Sequence, residues 1–211
     1  MNTPLSPAPD RFPDVATRFS LPGPAGALEV ASDVPAAAAA RAGTVVICHP
    51  NPVQGGTMTN KVVTTLERAL RELGLATMRF NFRGVGASQG TFDDGAGETD
   101  DALAVARWVQ AVRARDQLWM AGFSFGSYVA TRIAGMLPVP ACPWLVIQGE
   151  DDEVVVPDDV YEFVTTTQPR PDLVRFPDTG HFFHGRLIEL RNTVQEHVCG
   201  NLPPLTEGSD G

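Results

Sequence analysis

Two serines in this chain stand midway between glycines, one in Gly86-Ala87-Ser88-Gln89-Gly90 and one in Gly122-Phe123-Ser124-Phe125-Gly126. A serine hydroxyl is a weak nucleophile until a neighbouring base takes its proton. The Gly-x-Ser-x-Gly pattern supplies exposure: it marks a sharp turn that lifts the hydroxyl clear, provided a strand runs in and a helix runs out. From 20 Gly and 7 Ser roughly 0.06 chance matches are expected, so with two matches the local context has to choose. Ser124 follows Leu118-Trp119-Met120-Ala121 and precedes Ser127-Tyr128-Val129-Ala130, which reads as strand then helix. Ser88 runs into Thr91-Phe92-Asp93-Asp94-Gly95, which starts no helix. Ser124 is the expected nucleophile, and Ser88 is read as part of a glycine turn.

A nucleophile on such a turn is followed in the chain first by an acid and then by a histidine. The run Gly149-Glu150-Asp151-Asp152-Glu153 lies just past an apolar segment and offers four carboxylates. One would orient the base and stabilise its imidazolium; Asp152 is the first choice and Asp151 the second. Among four histidines, His49 precedes the serine and His197 lies within an amphipathic helical pattern. His181 sits in the loop Asp178-Thr179-Gly180-His181-Phe182-Phe183, where a general base with a near-neutral pKa belongs, and His184 is its alternate.

The tetrahedral oxyanion needs two N–H donors. Phe125 N–H, directly after the nucleophile at a helix start, is one. The loop His49-Pro50-Asn51-Pro52-Val53-Gln54-Gly55-Gly56-Thr57 should supply the other, and because proline has no N–H, Asn51 leads, with Gln54 or Gly55 next. Such a donor contributes on the order of 3 kcal/mol of transition-state stabilisation.

The elements that must position these groups alternate along the chain. Segments 17–20 and 27–31 read as an antiparallel pair around Pro22-Gly23-Pro24, and Ala36–Ala40 as a linker or helical turn. Strands are expected at 44–48, 75–80, 118–121, 144–148 and 173–176. Helices are expected at 58–73, 98–112, 127–137, 158–165 and 186–198. This order implies an α/β fold with a mostly parallel sheet and helices on both faces, ligands binding at the carboxyl ends of the strands.

A chain of 211 residues, 43% hydrophobic, suits one domain, expected over 15–199, with a flexible arm at 1–14 and a flexible tail at 200–211. The formal charge of −9 argues against nucleic-acid and anionic-membrane partners. Cys48, Cys142 and Cys199 fit no disulfide framework or zinc spacing, so a cytoplasmic protein without a metal site is expected. The stretch Met1–Phe19 holds four prolines and no apolar run, unlike a signal peptide or anchor.

Several motifs together resemble the small, lidless, dienelactone-hydrolase-like branch of the α/β-hydrolases. They are Cys48-His49-Pro50, Gly55-Gly56-Thr57-Met58, Arg79-Phe80-Asn81-Phe82-Arg83-Gly84-Val85-Gly86 and Ala121-Gly122-Phe123-Ser124-Phe125-Gly126, followed by Gln148 to Val155 and Gly180 to Gly185. The resemblance implies a serine hydrolase acting on esters or related acyl compounds with no metal or organic cofactor, and it supports Ser124, Asp152 and His181 position by position. Many relatives have a second histidine where this chain has Asn51, so no side-chain role carries over there.

The chain departs from that branch in one place. Pro138-Val139-Pro140-Ala141-Cys142-Pro143 leads straight from the nucleophile's helix to Trp144, where relatives insert a further strand. One strand is therefore expected to be missing, with 144–148 pairing directly beside 118–121 and the acid loop displaced by about 4.8 Å. A sheet edge left open in this way would favour a homodimer. The expected activity is ester hydrolysis through an acyl-enzyme on a small acyl substrate, in a shallow pocket with Phe92, Phe123, Phe125, Phe182 and Phe183 as candidate walls. The alternative is an impaired hydrolase scaffold that binds an acyl ligand or a protein partner. A thiol-dependent hydrolase using Cys48 ranks third.

Overall fold

The strand pair at the start of the fold is an antiparallel hairpin, β1 (Thr17–Gly23) and β2 (Gly26–Asp33), in register from Thr17 opposite Ser32 to Gly23 opposite Gly26. The computed structural model describes residues 4–137 and 143–206. After the hairpin come β3 (Gly43–Cys48), α1 (Lys61–Glu72), β4 (Ala76–Phe80), α2 (Ala96–Val112), β5 (Gln117–Gly122) and α3 (Phe125–Ala134). Ala37–Ala39 forms a single 3-10 turn. The five strands make one sheet in the order β1-β2-β4-β3-β5; β2 runs antiparallel to β4, while β3 is parallel to both β4 and β5.

The amino-acid pattern explains this placement. Every residue of β3 is buried, so both faces of the central strand are covered. Helix α1 packs on β3 and β4, and α2 and α3 pack on each other and on β3 and β5. Asn60 accepts the Val62 N–H to start α1, and Gly74, at φ 97, closes it in the left-handed conformation glycine tolerates. Asp101, fully buried on α2, accepts two bonds from the Arg83 guanidinium and a third from the Arg83 N–H, fixing the loop that leaves β4.

A second parallel sheet consists of β6 (Leu145–Gly149) and β7 (Asp172–Phe176), linked through α4 (Pro157–Thr166) and followed by α5 (Leu187–Val198). The Trp144 ring stacks on Phe163 of α4, and α5 carries buried Leu190 and Val194.

One expectation needs correction. Among the described residues, segment 144–148 does not pair beside 118–121: β5 pairs with β3 and ends the first sheet, and β6 pairs with β7. Backbone ladders carry no side-chain identity, so a strand's pattern announces the strand without naming its neighbour. The described residues form two compact units, one of residues 4–137 with 202–206 and one of residues 143–201. Parts of the segments before residue 15 and after residue 199 are packed. Phe12 is buried, its ring 6.1 Å from that of Trp108, and the Ser20 N–H donates to Ser6 O at 2.7 Å. In the tail, the N–H groups of Ala42 and Thr206 bond Pro204 O and Ala40 O. One aromatic anchor and a few backbone bonds suffice to dock stretches whose average composition is that of a linker.

Candidate active site

The first unit holds the serine turn. Ser124 lies between β5 and α3 at φ 55 and ψ −124, a conformation costly for any residue with a Cβ, on the order of 1–3 kcal/mol. Its flanking glycines meet backbone at close range. A Cβ on Gly122 would lie 2.2 Å from Gly126 O, and one on Gly126 would lie 2.3 Å from Cys48 O. Phe123 N–H donates to Cys48 O at 3.2 Å, so the turn is tied to the end of β3.

Helix α3 begins at Phe125, two residues earlier than its sequence pattern suggests, because the helix starts immediately after the strained serine. The Phe125 N–H thus belongs to the first turn, whose N–H groups have no partner within the helix and carry the positive end of its dipole. Among the described residues it donates to no protein acceptor.

The loop after β3 sorts its own candidates. Gln54 N–H donates to Asn51 O at 3.1 Å and Gly55 N–H to Pro52 O at 3.0 Å, so both are committed to a 3-10 turn over Pro52–Gln54. The Asn51 side chain caps that turn by accepting Val53 N–H at 2.9 Å. Asn51 N–H donates to no acceptor among the described residues.

Ser88, the other serine between glycines, is a structural element. It accepts Glu29 N–H at 2.9 Å and donates to Asn81 O at 2.7 Å. The Glu29 carboxylate meanwhile accepts from Asn81 Nδ2 and Ala87 N–H, closing a buried network. Cys48 is completely buried, and burial pushes its thiol far above the ordinary range; it is not available as a thiolate, which removes the thiol-dependent reading.

The second unit holds an acid–base pair. His181 Nδ1 lies 2.9 Å from Asp152 Oδ2 and 3.0 Å from Oδ1, both side chains almost fully buried. Burial alone would raise the Asp152 pKa, but hydrogen bonds from Val155 N–H, His181 and Val154 N–H outweigh it and hold the carboxyl below its usual value. Asp151 makes no such bond; its N–H donates to Thr179 O, which steadies the loop carrying the histidine. His184 is exposed.

Two residues missed from the sequence support the pair. Gln148 Nε2 donates to Asp152 Oδ2 at 3.0 Å, and Glu153 Oε2 accepts the His181 N–H at 3.1 Å. Glu153 lies within the acidic run already singled out and Gln148 directly before it, but only coordinates show which way each side chain turns. Of the proposed pocket walls, Phe123 and Phe183 are buried core residues, and Phe182 is 40% exposed. Phe92 and Phe125 form an aromatic cluster, ring centroids 5.8 Å apart, which Tyr128 extends beside the serine turn. Among the described residues no group of His, Cys, Asp and Glu is arranged to hold a metal, and no helix is long and apolar enough to cross a membrane.

A strained serine between a parallel strand and a helix, on a mostly parallel sheet, defines the α/β-hydrolase class. Comparison with known proteins narrows this. The chain is 47% identical to a lidless α/β serine hydrolase from Xanthomonas campestris, with a TM-score of 0.87 over 93% of this chain and 99% of the other. It is 43% identical to an α/β serine hydrolase homologue from Coxiella burnetii, with a TM-score of 0.85 over 89% and 99%. A dienelactone hydrolase from Anabaena variabilis, 18% identical with a TM-score of 0.75 over 89% and 98%, shares the fold. No family model matches the chain. The chain belongs to the family of lidless α/β serine hydrolases.

Proposed function

We propose that this protein is a cytoplasmic carboxylesterase-type hydrolase that cleaves small acyl esters through an acyl-enzyme. Ser124 attacks the ester carbonyl, and His181 takes the hydroxyl proton and returns it to the departing alcohol. Asp152 holds the imidazole in the tautomer with Nδ1 protonated, which leaves Nε2 as the basic atom. Phe125 N–H and Asn51 N–H receive the charge that develops on the carbonyl oxygen. Water then repeats the sequence on the acyl-enzyme and frees the acid.

The observation that carries this reading is the backbone of Ser124. Holding a residue with a Cβ at φ 55 costs stability that glycine would spare, and its return is a serine of intermediate burial set at a helix N-terminus. A fluorophosphonate probe should label the wild-type protein stoichiometrically, and Ser124→Ala should abolish labelling without loss of fold. A folded wild type that resists the probe would refute nucleophilic catalysis at this serine.

One observation keeps a second reading in view: Ser124 belongs to the first compact unit, whereas Asp152 and His181 belong to the second. A scaffold that binds an acyl ligand or a protein without turning it over would retain binding in Ser124→Ala and release no product burst. A burst in the wild type that the substitution abolishes decides for the esterase.

A further inference from the structure

His49 is fully buried at the end of β3 and has no part in the proton transfers above, yet both of its ring nitrogens are engaged with backbone. Phe82 N–H can only donate, and it points at His49 Nε2 at 3.0 Å, so Nε2 accepts and carries no proton. In a neutral ring the proton is then on Nδ1, which lies 2.6 Å from Pro50 O and donates to it. Desolvation by burial, only partly offset by the Pro50 bond, lowers the ring pKa from 6.5 to about 4, so the neutral form is the one present at neutral pH. The ring is held in place against Phe82 at a centroid distance of 4.5 Å.

Pro50 O and Asn51 N–H are the two ends of one planar peptide. Fixing the oxygen fixes the direction in which the N–H points. A hydrogen bond to the carbonyl also draws charge through the amide and strengthens the N–H as a donor. The surroundings close the other options. Asn51 O already accepts the N–H groups of Gln54 and Gly56, and a Cβ on Gly56 would lie 2.0 Å from Pro50 O.

We propose that His49 is a positioning residue for the oxyanion hole: by pinning and polarising the Pro50–Asn51 peptide it aims Asn51 N–H at the developing oxyanion. This rests on the assignment of Asn51 N–H as an oxyanion donor made above, and it gives a purpose to a histidine that the chain order excludes as the base.

Two substitutions separate the two ring contacts. In His49→Asn the side-chain amide N–H overlays Nδ1 and still donates to Pro50 O, while the acceptor for Phe82 is lost. In His49→Gln the side-chain oxygen overlays Nε2 and still accepts Phe82 N–H, while the bond to Pro50 is lost. His49→Gln is expected to lower kcat by about 10- to 100-fold with little change in KM, and His49→Asn to restore most of that loss. The amide 15N resonance of Asn51, which senses hydrogen bonding at the preceding carbonyl, should move in His49→Gln and stay near its wild-type position in His49→Asn. Equal kcat loss in both variants, or an Asn51 resonance indifferent to the choice, overturns the proposal.

The resonance needs no turnover, so failure of the esterase reading leaves this test standing. Should either variant not fold, the ring 15N spectrum of the wild type still decides: a proton on Nδ1 is expected, and a proton on Nε2 overturns the proposal.

Discussion

His49 shows how much one buried ring can set. Its ordinary value of 6.5 falls to about 4 in the folded protein, so the unfolded chain binds the proton more tightly throughout the interval between them. Stability therefore declines as pH drops below about 6.5 and the loss levels off below about 4. Between about pH 7 and about pH 4.5 the contribution is on the order of 2 kcal/mol. Asp152 does not interfere in this window, since its depressed pKa gives stability that is lost only below the ordinary carboxylate value of 3.8. Urea denaturation at the two pH values should show the decline in the wild type and a much smaller one in His49→Asn. An equal decline in both proteins would mean that the acid sensitivity comes from elsewhere. At the same scale, Ser88 and Ser124 demonstrate that one pentapeptide frame serves two ends: the first serine spends its hydroxyl on Glu29 and Asn81, and the second is held up by its backbone.

At the scale of elements, the serine turn depends on how closely β5 and α3 approach β3. Gly126 sits against the carbonyls of Cys48 and His49, at 2.3 and 2.6 Å from where its Cβ would be, and neither carbonyl can move without disturbing a central strand. Gly126→Ala should cost about 3 kcal/mol or more, lowering the melting temperature by about 6 to 12 °C. Gly200→Ala, where a Cβ meets nothing within 4 Å, should change stability by less than about 0.5 kcal/mol. Differential scanning calorimetry of the pair measures the contrast, and a Gly126→Ala protein that melts with the wild type would show that the turn can relax. The loop after β4 is braced in a different way, by a buried carboxylate on α2 gripping Arg83 at both ends of its fork.

At the scale of the whole molecule, the two units carry unequal sheets. In the first, β3 is flanked by β4 and β5 and is buried at every position. In the second, β6 and β7 pair only with each other among the described residues, and the first three residues of β6 are partly exposed. Two-stranded sheets contribute little independent stability, and local opening tracks the number of covered backbone bonds. Hydrogen exchange followed by mass spectrometry should therefore show Val45–Cys48 protected the longest and Leu145–Gly149 exchanging faster. Equal protection of the two segments would indicate that the second unit opens only with the first.

Much of this protein is legible in its sequence because local chemistry dictates it. Periodicity and capping signals give β1 to β7 and α1 to α5 within a few residues, and the strand-turn-helix context separates Ser124 from Ser88. The order of acid and histidine points to Asp152 and His181, which the structure places 2.9 Å apart at their nearest atoms. The choice of sheet partner for β6 lay beyond the sequence, since ladder bonds join any backbone to any other. So did the packing of Phe12, because one aromatic contact is lost in a proline-rich average. The commitment of Gln54 and Gly55 to a turn, which leaves Asn51 N–H as the open donor among the three candidates, is likewise a fact of three-dimensional bonding. Residue type determined which groups can do chemistry here; which of their hydrogen bonds were already spent was decided only when distant backbone and side chains came within reach.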